Sequence, residues 1–252
     1  TALLIIGLLL VVYSADRLVF AASILCRLSG VPPVVIGMTV VSVGTSLPEI
    51  IVSVSASLHG QVDLAVGTAI GSNIVNILLI LGLAALLHPF RVHSDVLRRE
   101  LPLMLLVSLL AGCVFYDGVL SYSDGIFLLA LAVIWLLYSV KIARLAEKQG
   151  QDSLTREQVA ELPREGTLPV ALLWLGVALI IMPMATRMVV DNATVLANYF
   201  AISELTIGLT VIAIGTSLPE LATAIAGARK GEDDIAIGNI IGSNIFNIAI
   251  VM

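Results

Sequence analysis

Two glutamates stand in identical short motifs, each inside a long apolar run. Gly-Thr-Ser-Leu-Pro-Glu occupies 44–49 and recurs at 215–220, so the carboxylates belong to Glu49 and Glu220. A charged side chain at the centre of a membrane span is costly unless it is paired, and no lysine or arginine holds a matching position. Two carboxylates with neighbouring hydroxyls form an all-oxygen set, which suits hard cations such as Ca²⁺ and Na⁺.

The proline of each motif should add backbone oxygens to this set. Pro48 has no N–H to donate to the carbonyl of Gly44, and Pro219 likewise leaves Gly215 without its donor. We therefore predict that each helix is interrupted at this point. Non-helical backbone at an interruption of this kind is tolerated at membrane depth only where it is buried in protein or lines a cavity. The hydroxyl residues before each proline are expected to cap the restarted helix and to offer cation ligands. They are Thr45, Ser46, Thr216 and Ser217.

A second motif, Gly-Ser-Asn-Ile-x-Asn, lies in the following apolar run of each copy, at 71–76 and 242–247. Its serine and its last asparagine are four residues apart and share one helical face. These neutral oxygen donors are Ser72, Asn76, Ser243 and Asn247. The glycines have a purely structural alternative, because Gly71 and Gly242 could simply let two helices approach closely. A structural hydrogen bond is the corresponding alternative for a lone glutamate, and duplication beside proline argues against it.

The motifs belong to an internal repeat. With a shift of 171 residues, Gly37–Asn76 aligns without a gap on Gly208–Asn247, and nineteen of the forty positions are identical. The shared residues are Gly, Thr, Ser, Pro, Glu and Asn in a fixed order, so low complexity does not explain the match. The sequence therefore predicts a duplicated structural unit.

Composition predicts that both units lie in a membrane. Hydrophobic residues make up 59% of the 252 positions and charged residues 12%, against about 25% charged in a typical soluble domain. Runs of about 20 apolar residues can cross the hydrocarbon core. Eight runs approach or reach this length, at 2–28, 34–58, 64–87, 101–116, 123–146, 168–190, 204–228 and 235–252. Both cysteines, Cys26 and Cys113, fall in apolar context and are interpreted as packing residues rather than a disulfide.

The two copies are predicted to cross the membrane in opposite directions. Five spans separate equivalent points, and five is an odd number. With the N-terminus outside, eleven of the thirteen Lys and Arg residues fall on the inner side, as cytoplasmic loops favour. The turn at Leu58 and His59 is uncharged, whereas its equivalent in the second copy holds Arg229 and Lys230. Inverted-topology repeats are typical of secondary transporters, whose substrate site lies near the midplane.

These observations divide the chain into three parts. Residues 1–146 form the first repeat with spans one to five, 147–167 a polar cytoplasmic linker, and 168–252 the second repeat from span six to span eight. By symmetry with the first repeat, ten spans are expected, of which eight are present. The symmetry implies about 65 further residues.

The paired motifs resemble the two alpha-repeats of the sodium/calcium exchanger family, within the wider cation/calcium exchanger superfamily. The resemblance implies an all-α polytopic membrane protein of two inverted five-span halves, with one long tilted helix in each half sliding against the core. It also implies that the carbonyls of Ser42 and Ala213 join the side-chain ligands. The full implied set is Ser42, Thr45, Ser46, Glu49, Ser72, Asn76, Ala213, Thr216, Ser217, Glu220, Ser243 and Asn247. The metal ligands within this set are Glu49, Glu220, Thr45 and Thr216.

Two details depart from some members of that family. Asn247 is neutral where several members carry aspartate, and the central linker lacks the large calcium-sensing domains of animal exchangers. The chain therefore resembles a minimal, prokaryotic form, and we expect a multi-pass protein of the bacterial inner membrane. The resemblance implies transported Ca²⁺ and Na⁺, no resident cofactor and no nucleic acid. The lipid bilayer is its surrounding partner, and no protein partner can be inferred.

Three functions remain open at this stage. The leading hypothesis is antiport of Na⁺ against Ca²⁺ by alternating access at one shared site. Ca²⁺/H⁺ antiport is the close alternative, because a buried carboxylate can release Ca²⁺ by taking a proton. A cation channel is the third, and ion flux without a counter-ion would be its mark. An enzyme is disfavoured, because the apolar runs contain no Ser/His, Asp/Asp or His-Glu-x-x-His set.

Overall fold

The computed structural model describes residues 2–60, 62–89, 98, 100–149, 166–200 and 213–251, and within them it contains helices and turns without a strand. The α-helices are α1 Ala2–Ser29, α2 Pro33–Ile36, α3 Ser42–Thr45, α4 Leu47–Leu58, α5 Val62–Ile74, α6 Leu81–Leu87, α7 Leu101–Val114, α8 Tyr122–Gln149, α9 Leu168–Tyr199, α10 Ala213–Thr216, α11 Leu218–Lys230 and α12 Asp233–Phe246. Wider π-helical turns cover Gly37–Val41, Val75–Ile80 and Asn247–Val251. All three adjoin the predicted motifs, and π-helical turns are frequent at functional sites.

Five of the predicted apolar runs form helices long enough to cross a membrane. They are Ala2–Ser29, Ala65–Leu87, Tyr122–Ser139, Leu168–Leu196 and Asp233–Val251. A sixth span is formed if the bent pair Pro33–Thr45 and Leu47–Leu58 crosses as one unit. The run 101–116 gives a shorter apolar helix, Leu101–Asp117, and much of the run 204–228 lies outside the described residues. The count of eight spans and the inverted orientation therefore stay predictions.

The helix containing the second Gly-Ser-Asn motif lies at the centre of the molecule. Within its membrane-length window 94% of the residues are buried, against 22–33% for the other four long spans. It packs against α2, the π-helical turn Gly37–Val41, and α7. The approach is close enough that a methyl group at Gly242 would lie 2.4 Å from the carbonyl oxygen of Met38. Glycine at this position is therefore required by packing.

The long membrane helices α1 and α9 lie side by side and share an apolar contact that includes Ala15, Leu18, Ala178 and Met182. One face of α9 also contacts both copies of the first motif. A methyl group at Gly44 would lie 2.6 Å from Leu179, and one at Gly215 would lie 2.6 Å from Val190. These α9 contacts are eleven residues apart, which is about 16 Å along a helix.

The outer surface of the bundle is apolar. Large side chains point outward on several spans, among them Leu9 at 65% exposure, Leu86 at 85% and Leu109 at 66%. Lipid tails solvate such side chains, and a helical bundle satisfies its backbone hydrogen bonds internally, so the molecule fits a bilayer. Cys26 and Cys113 are both free thiols, as predicted. Cys26 is buried, whereas Cys113 is exposed on this apolar surface, so packing explains only the first.

Candidate cation-binding site

The helix interruptions lie where the sequence predicts them. α3 ends at Thr45 and α4 begins at Leu47, with Ser46 between them, and the helix axis bends by 47°. Ser217 separates α10 from α11 in the same way. Pro48 and Pro219 stand in the first turn of the restarted helix, where their missing N–H leaves no donor unused.

The predicted capping by these serines is wrong in detail. Ser46 and Ser217 occupy the N-cap positions of α4 and α11, yet neither side chain makes a capping hydrogen bond. The Ser46 hydroxyl instead donates to Oε1 of Glu220 at 3.3 Å, and the Ser217 hydroxyl donates to Oγ of Ser72 at 3.3 Å. The proline at the second helical position has no N–H, so the first turn has one donor fewer that needs a capping hydrogen bond. Both hydroxyls therefore point across to the other sequence copy.

The two glutamates of the site, Glu49 and Glu220, are fully buried, both with 0% exposure. They lie close enough to interact electrostatically, and Thr216 and Ser217 adjoin Glu49 as Thr45, Ser46 and Ser243 adjoin Glu220. Both carboxylate oxygens of Glu49 and Oε2 of Glu220 have no hydrogen-bond partner in the described part of the chain. Two buried carboxylates with three unsatisfied oxygens strongly favour a cationic ligand.

Hydroxyl groups surround the carboxylates and join the two copies. Thr45 Oγ1 lies 3.0 Å from Oδ1 of Asn239 and 3.3 Å from Oγ of Ser243. The shorter distance identifies Asn239 as the acceptor of the Thr45 hydroxyl, which leaves the Thr45 lone pairs for another partner. Ser72, Ser217 and Ser243 are buried as well. Among the described residues, the contacts of Thr45 with Ser243, of Ser46 with Glu220 and of Ser217 with Ser72 each connect predicted ligands from different copies.

The last asparagine of each Gly-Ser-Asn-Ile-x-Asn motif is also brought to this region. Asn76 Nδ2 donates to Oδ1 of Asn244 at 3.2 Å, and Asn247 Nδ2 donates to Oδ1 of Asn73 at 3.1 Å. Asn76 and Asn247 are 0% and 1% exposed. Each lies in a π-helical turn, which rotates the helix face relative to a regular α-helix.

The two predicted backbone ligands differ in what the structure describes. The Ser42 carbonyl accepts the N–H of Ser46 at 2.9 Å and has a longer contact of 3.3 Å from the Thr45 hydroxyl, while the Ser42 hydroxyl bonds back to the carbonyl of Met38. Ala213 is the first residue of α10, and only its backbone is described. Both residues precede their glutamate by seven positions, at the approach to each helix interruption.

Sequence reasoning missed three asparagines of the site, Asn73, Asn239 and Asn244. Asn73 and Asn244 stand inside the repeated Gly-Ser-Asn motif, so recurrence at the same spacing was a usable signal. Asn239 aligns with Thr68 in the first copy and carried no signal of identity. It is 0% exposed, and only its contact with Thr45 shows that it belongs to the site.

Comparison with known proteins agrees with this geometry. The family model described as sodium/calcium exchanger protein matches residues 1–141 and 170–252. The inner membrane protein YrbG of Escherichia coli (strain K12) is 82% identical over 252 residues, which are 100% of this chain and 78% of that protein. The sodium/calcium exchanger MaX1 of Methanosarcina acetivorans is 31% identical over 281 residues, covering 99% of this chain and 80% of that one.

A solved structure extends the likeness to the fold. The sodium-calcium exchanger NCX_Mj, soaked with Na⁺ and Sr²⁺, superposes with a TM-score of 0.83 at 34% identity over 99% of this chain and 79% of that chain. With a family model that matches most of the sequence, these similarities make the protein a multi-pass membrane transporter rather than an enzyme. The chain belongs to the sodium/calcium exchanger family.

Proposed function

We propose that this protein exchanges Na⁺ for Ca²⁺ across the membrane, with both ions using the site around Glu49 and Glu220 in turn. The single observation that carries the proposal is the pair of fully buried carboxylates with three oxygens that lack a partner in the described residues. Leaving such charges uncompensated in a low-dielectric interior costs on the order of several kcal/mol per ion. One Ca²⁺ or bound Na⁺ ions would offset that cost.

The shared carboxylates explain how two ion gradients are coupled. Ca²⁺ and Na⁺ both accept cages of oxygen ligands, so a site made from the same two glutamates holds one kind of ion at a time. An occupied site can change its accessible side, whereas an unoccupied site keeps an uncompensated double negative charge at membrane depth. That charge disfavours reorientation without cargo. The gradient of one ion therefore drives the movement of the other.

The proposed ligands are the twelve residues implied by the family resemblance, with Ca²⁺ and Na⁺ as cargo and no resident cofactor. The contacts between the two copies support this set, because ligands from one copy bond to side chains of the other. Ser46 bonds to Glu220, and Asn76 and Asn247 each bond to the other copy. Contacts of this kind are expected of two inverted halves, 1–146 and 168–252, joined by the linker 147–167.

The proposed location is the bacterial inner membrane, with the N-terminus outside and the linker cytoplasmic. One contact supports the common side of two basic regions: Arg27 Nη2 donates to the carbonyl of Gly166 at 2.6 Å. This contact joins the end of α1 to the end of the linker, both predicted to lie inside.

The test is Ca²⁺ uptake into sealed vesicles containing the purified protein. Vesicles loaded with Na⁺ are diluted into choline, into K⁺ or into Na⁺, and a parallel set carries a proton gradient without Na⁺. We expect equal uptake in choline and in K⁺, because the two formal charges of the site balance one Ca²⁺ and leave none for a K⁺ ion. We expect no uptake in equal Na⁺, because no Na⁺ gradient then drives it. The aspartate variant Asp191→Asn serves as a control, since its ion pair with Arg187 is exposed.

Each alternative has its own outcome. Uptake driven by protons alone would replace the proposal with Ca²⁺/H⁺ antiport. Ca²⁺ flux that runs down its own gradient without any counter-ion would indicate a channel. Uptake that appears only with external K⁺ would show that a K⁺ ion is co-transported.

A further inference from the structure

Four asparagines form a connected hydrogen-bond network between the two copies of the second motif. Asn73 and Asn76 come from the first copy, and Asn244 and Asn247 hold the equivalent positions in the second. Only the last asparagine of each motif is a proposed ion ligand. Asn73 and Asn244 have no role in the site described so far.

The direction of each hydrogen bond is defined by the amide groups. Asn76 Nδ2 donates to Asn244 Oδ1 at 3.2 Å, and Asn247 Nδ2 donates to Asn73 Oδ1 at 3.1 Å. Asn73 Nδ2 donates to the backbone carbonyl of Asn244 at 3.1 Å. Asn244 Nδ2 completes the network with a contact of 3.7 Å to the thioether sulfur of Met104, from α7. All four amide nitrogens thus have an acceptor.

The side-chain oxygens of the two proposed ligands, Asn76 and Asn247, take no part in this network. Asn76 Oδ1 and Asn247 Oδ1 are buried and have no hydrogen-bond partner in the described part of the chain. Buried side-chain oxygens are normally paired. An amide can offer a cation its oxygen only, since its nitrogen carries two N–H donors. An amide held by its nitrogen cannot turn that nitrogen toward the ion without losing its partner.

We propose that Asn73 and Asn244 are positioning residues that hold Asn247 and Asn76 with their oxygens available to the transported cation. This inference rests on the proposed function, because it assumes that the two held oxygens bind the cargo. The arrangement is reciprocal, since an asparagine of each copy orients the ligand of the other copy. Neither copy can therefore complete its own ligand set, and Met104 keeps Asn244 in the orientation that this requires.

The experiment measures direct binding of Ca²⁺ and of Na⁺ to the purified protein by calorimetry, together with its melting temperature. Asn73→Leu and Asn244→Leu remove the orienting oxygen and keep the branched shape and the number of heavy atoms of the side chain. Asn192→Leu is the matched control, because within the described residues Asn192 bonds to the carbonyl of Met188 in its own helix. We expect about a ten-fold loss of Ca²⁺ affinity in the first two variants and less than a two-fold change in the control. If a leucine variant does not fold, the alanine variant at the same position replaces it.

Double variants distinguish positioning from a general loss of packing. In an Asn76→Ala background, Asn244→Leu should cause no further loss of affinity, whereas in an Asn247→Ala background it should cause its full loss. Asn73→Leu should show the opposite pattern. If a leucine substitution causes the same loss of Ca²⁺ affinity in both alanine backgrounds, or if both leucine variants have wild-type affinity, the inference is overturned. A wild-type protein that binds neither Ca²⁺ nor Na⁺ contradicts the proposed function instead.

Discussion

The two Gly-Ser-Asn helices have the same motif and different surroundings. A methyl group at Gly242 would lie 2.4 Å from the carbonyl oxygen of Met38, whereas one at the equivalent Gly71 would meet nothing within 4 Å in the part of the chain that the structure describes. Gly238 and Gly67 show the same contrast, with Val34 as the close neighbour of Gly238. Within the described residues, the two helices therefore share their ligand chemistry but differ in their close neighbours.

The two copies should behave alike at their glutamates, and substitutions there should have the largest effect on Ca²⁺ uptake. Glu49→Gln and Glu220→Gln should each abolish Na⁺-dependent Ca²⁺ uptake, because each removes one of the two charges that offset Ca²⁺. Both proteins should remain folded, since an amide is no harder to bury than a carboxylate. Uptake by vesicles is the measurement, with size-exclusion chromatography as the check on folding. Near-normal uptake in either variant would contradict the assignment of the site.

The difference in stability between equivalent variants of the two copies should be largest at Gly242 and Gly71. Gly242→Ala should lower the free energy of unfolding by about 1–3 kcal/mol, as overpacking commonly does. Gly71→Ala should leave it unchanged or raise it by up to about 1 kcal/mol, since alanine favours a helix. Thermal unfolding in detergent measures both. Equal changes in the two variants would show that the copies pack alike.

A smaller difference is expected at the position where the copies diverge. Asn239→Thr gives the second copy the residue that Thr68 supplies in the first, and it removes the acceptor that lies 3.0 Å from Thr45 Oγ1. Losing one neutral hydrogen bond of about 1 kcal/mol should raise the KM for Ca²⁺ about five-fold. The maximal rate should change less than KM. An unchanged KM would show that Asn239 does not orient the Thr45 hydroxyl.

The smallest effect concerns the start of the central helix. Burial raises the pKa of Glu232 from 4.5 to about 7, with Asp233 and Asp234 adding to the rise and Ser23 and Lys230 opposing it. The folded protein then holds a proton that the unfolded chain releases, so stability falls as pH rises from about 4.5 past 7. The equivalent residue in the first copy is Gln61, which does not titrate.

Glu232→Gln makes the second copy like the first at this position. The variant should gain melting temperature relative to the wild type as pH increases from 5 to 8, because it lacks the charge that burial disfavours. Melting curves of both proteins at several pH values supply the measurement. A difference that stays constant over this range would show that Glu232 does not titrate in it.

Much of the molecule could be predicted from its sequence. The repeat, the apolar runs and the two glutamates follow from identity and composition, because few sequences duplicate Glu, Pro and Asn within apolar segments. The interruptions beside Pro48 and Pro219 were predicted from the missing N–H alone. These features depend on covalent structure and on local sequence, which tertiary packing does not change.

Tertiary structure decided which partners the polar groups have. A serine before a helix can cap it or reach across to another helix, and the packing of α3 against α11 brings Ser46 to Glu220. The roles of Asn73, Asn239 and Asn244 depend on contacts between residues about 170 to 195 positions apart. The difference between Gly71 and Gly242 depends on which helices lie nearby. Local sequence specifies the oxygen donors, whereas long-range packing determines which of those donors face each other.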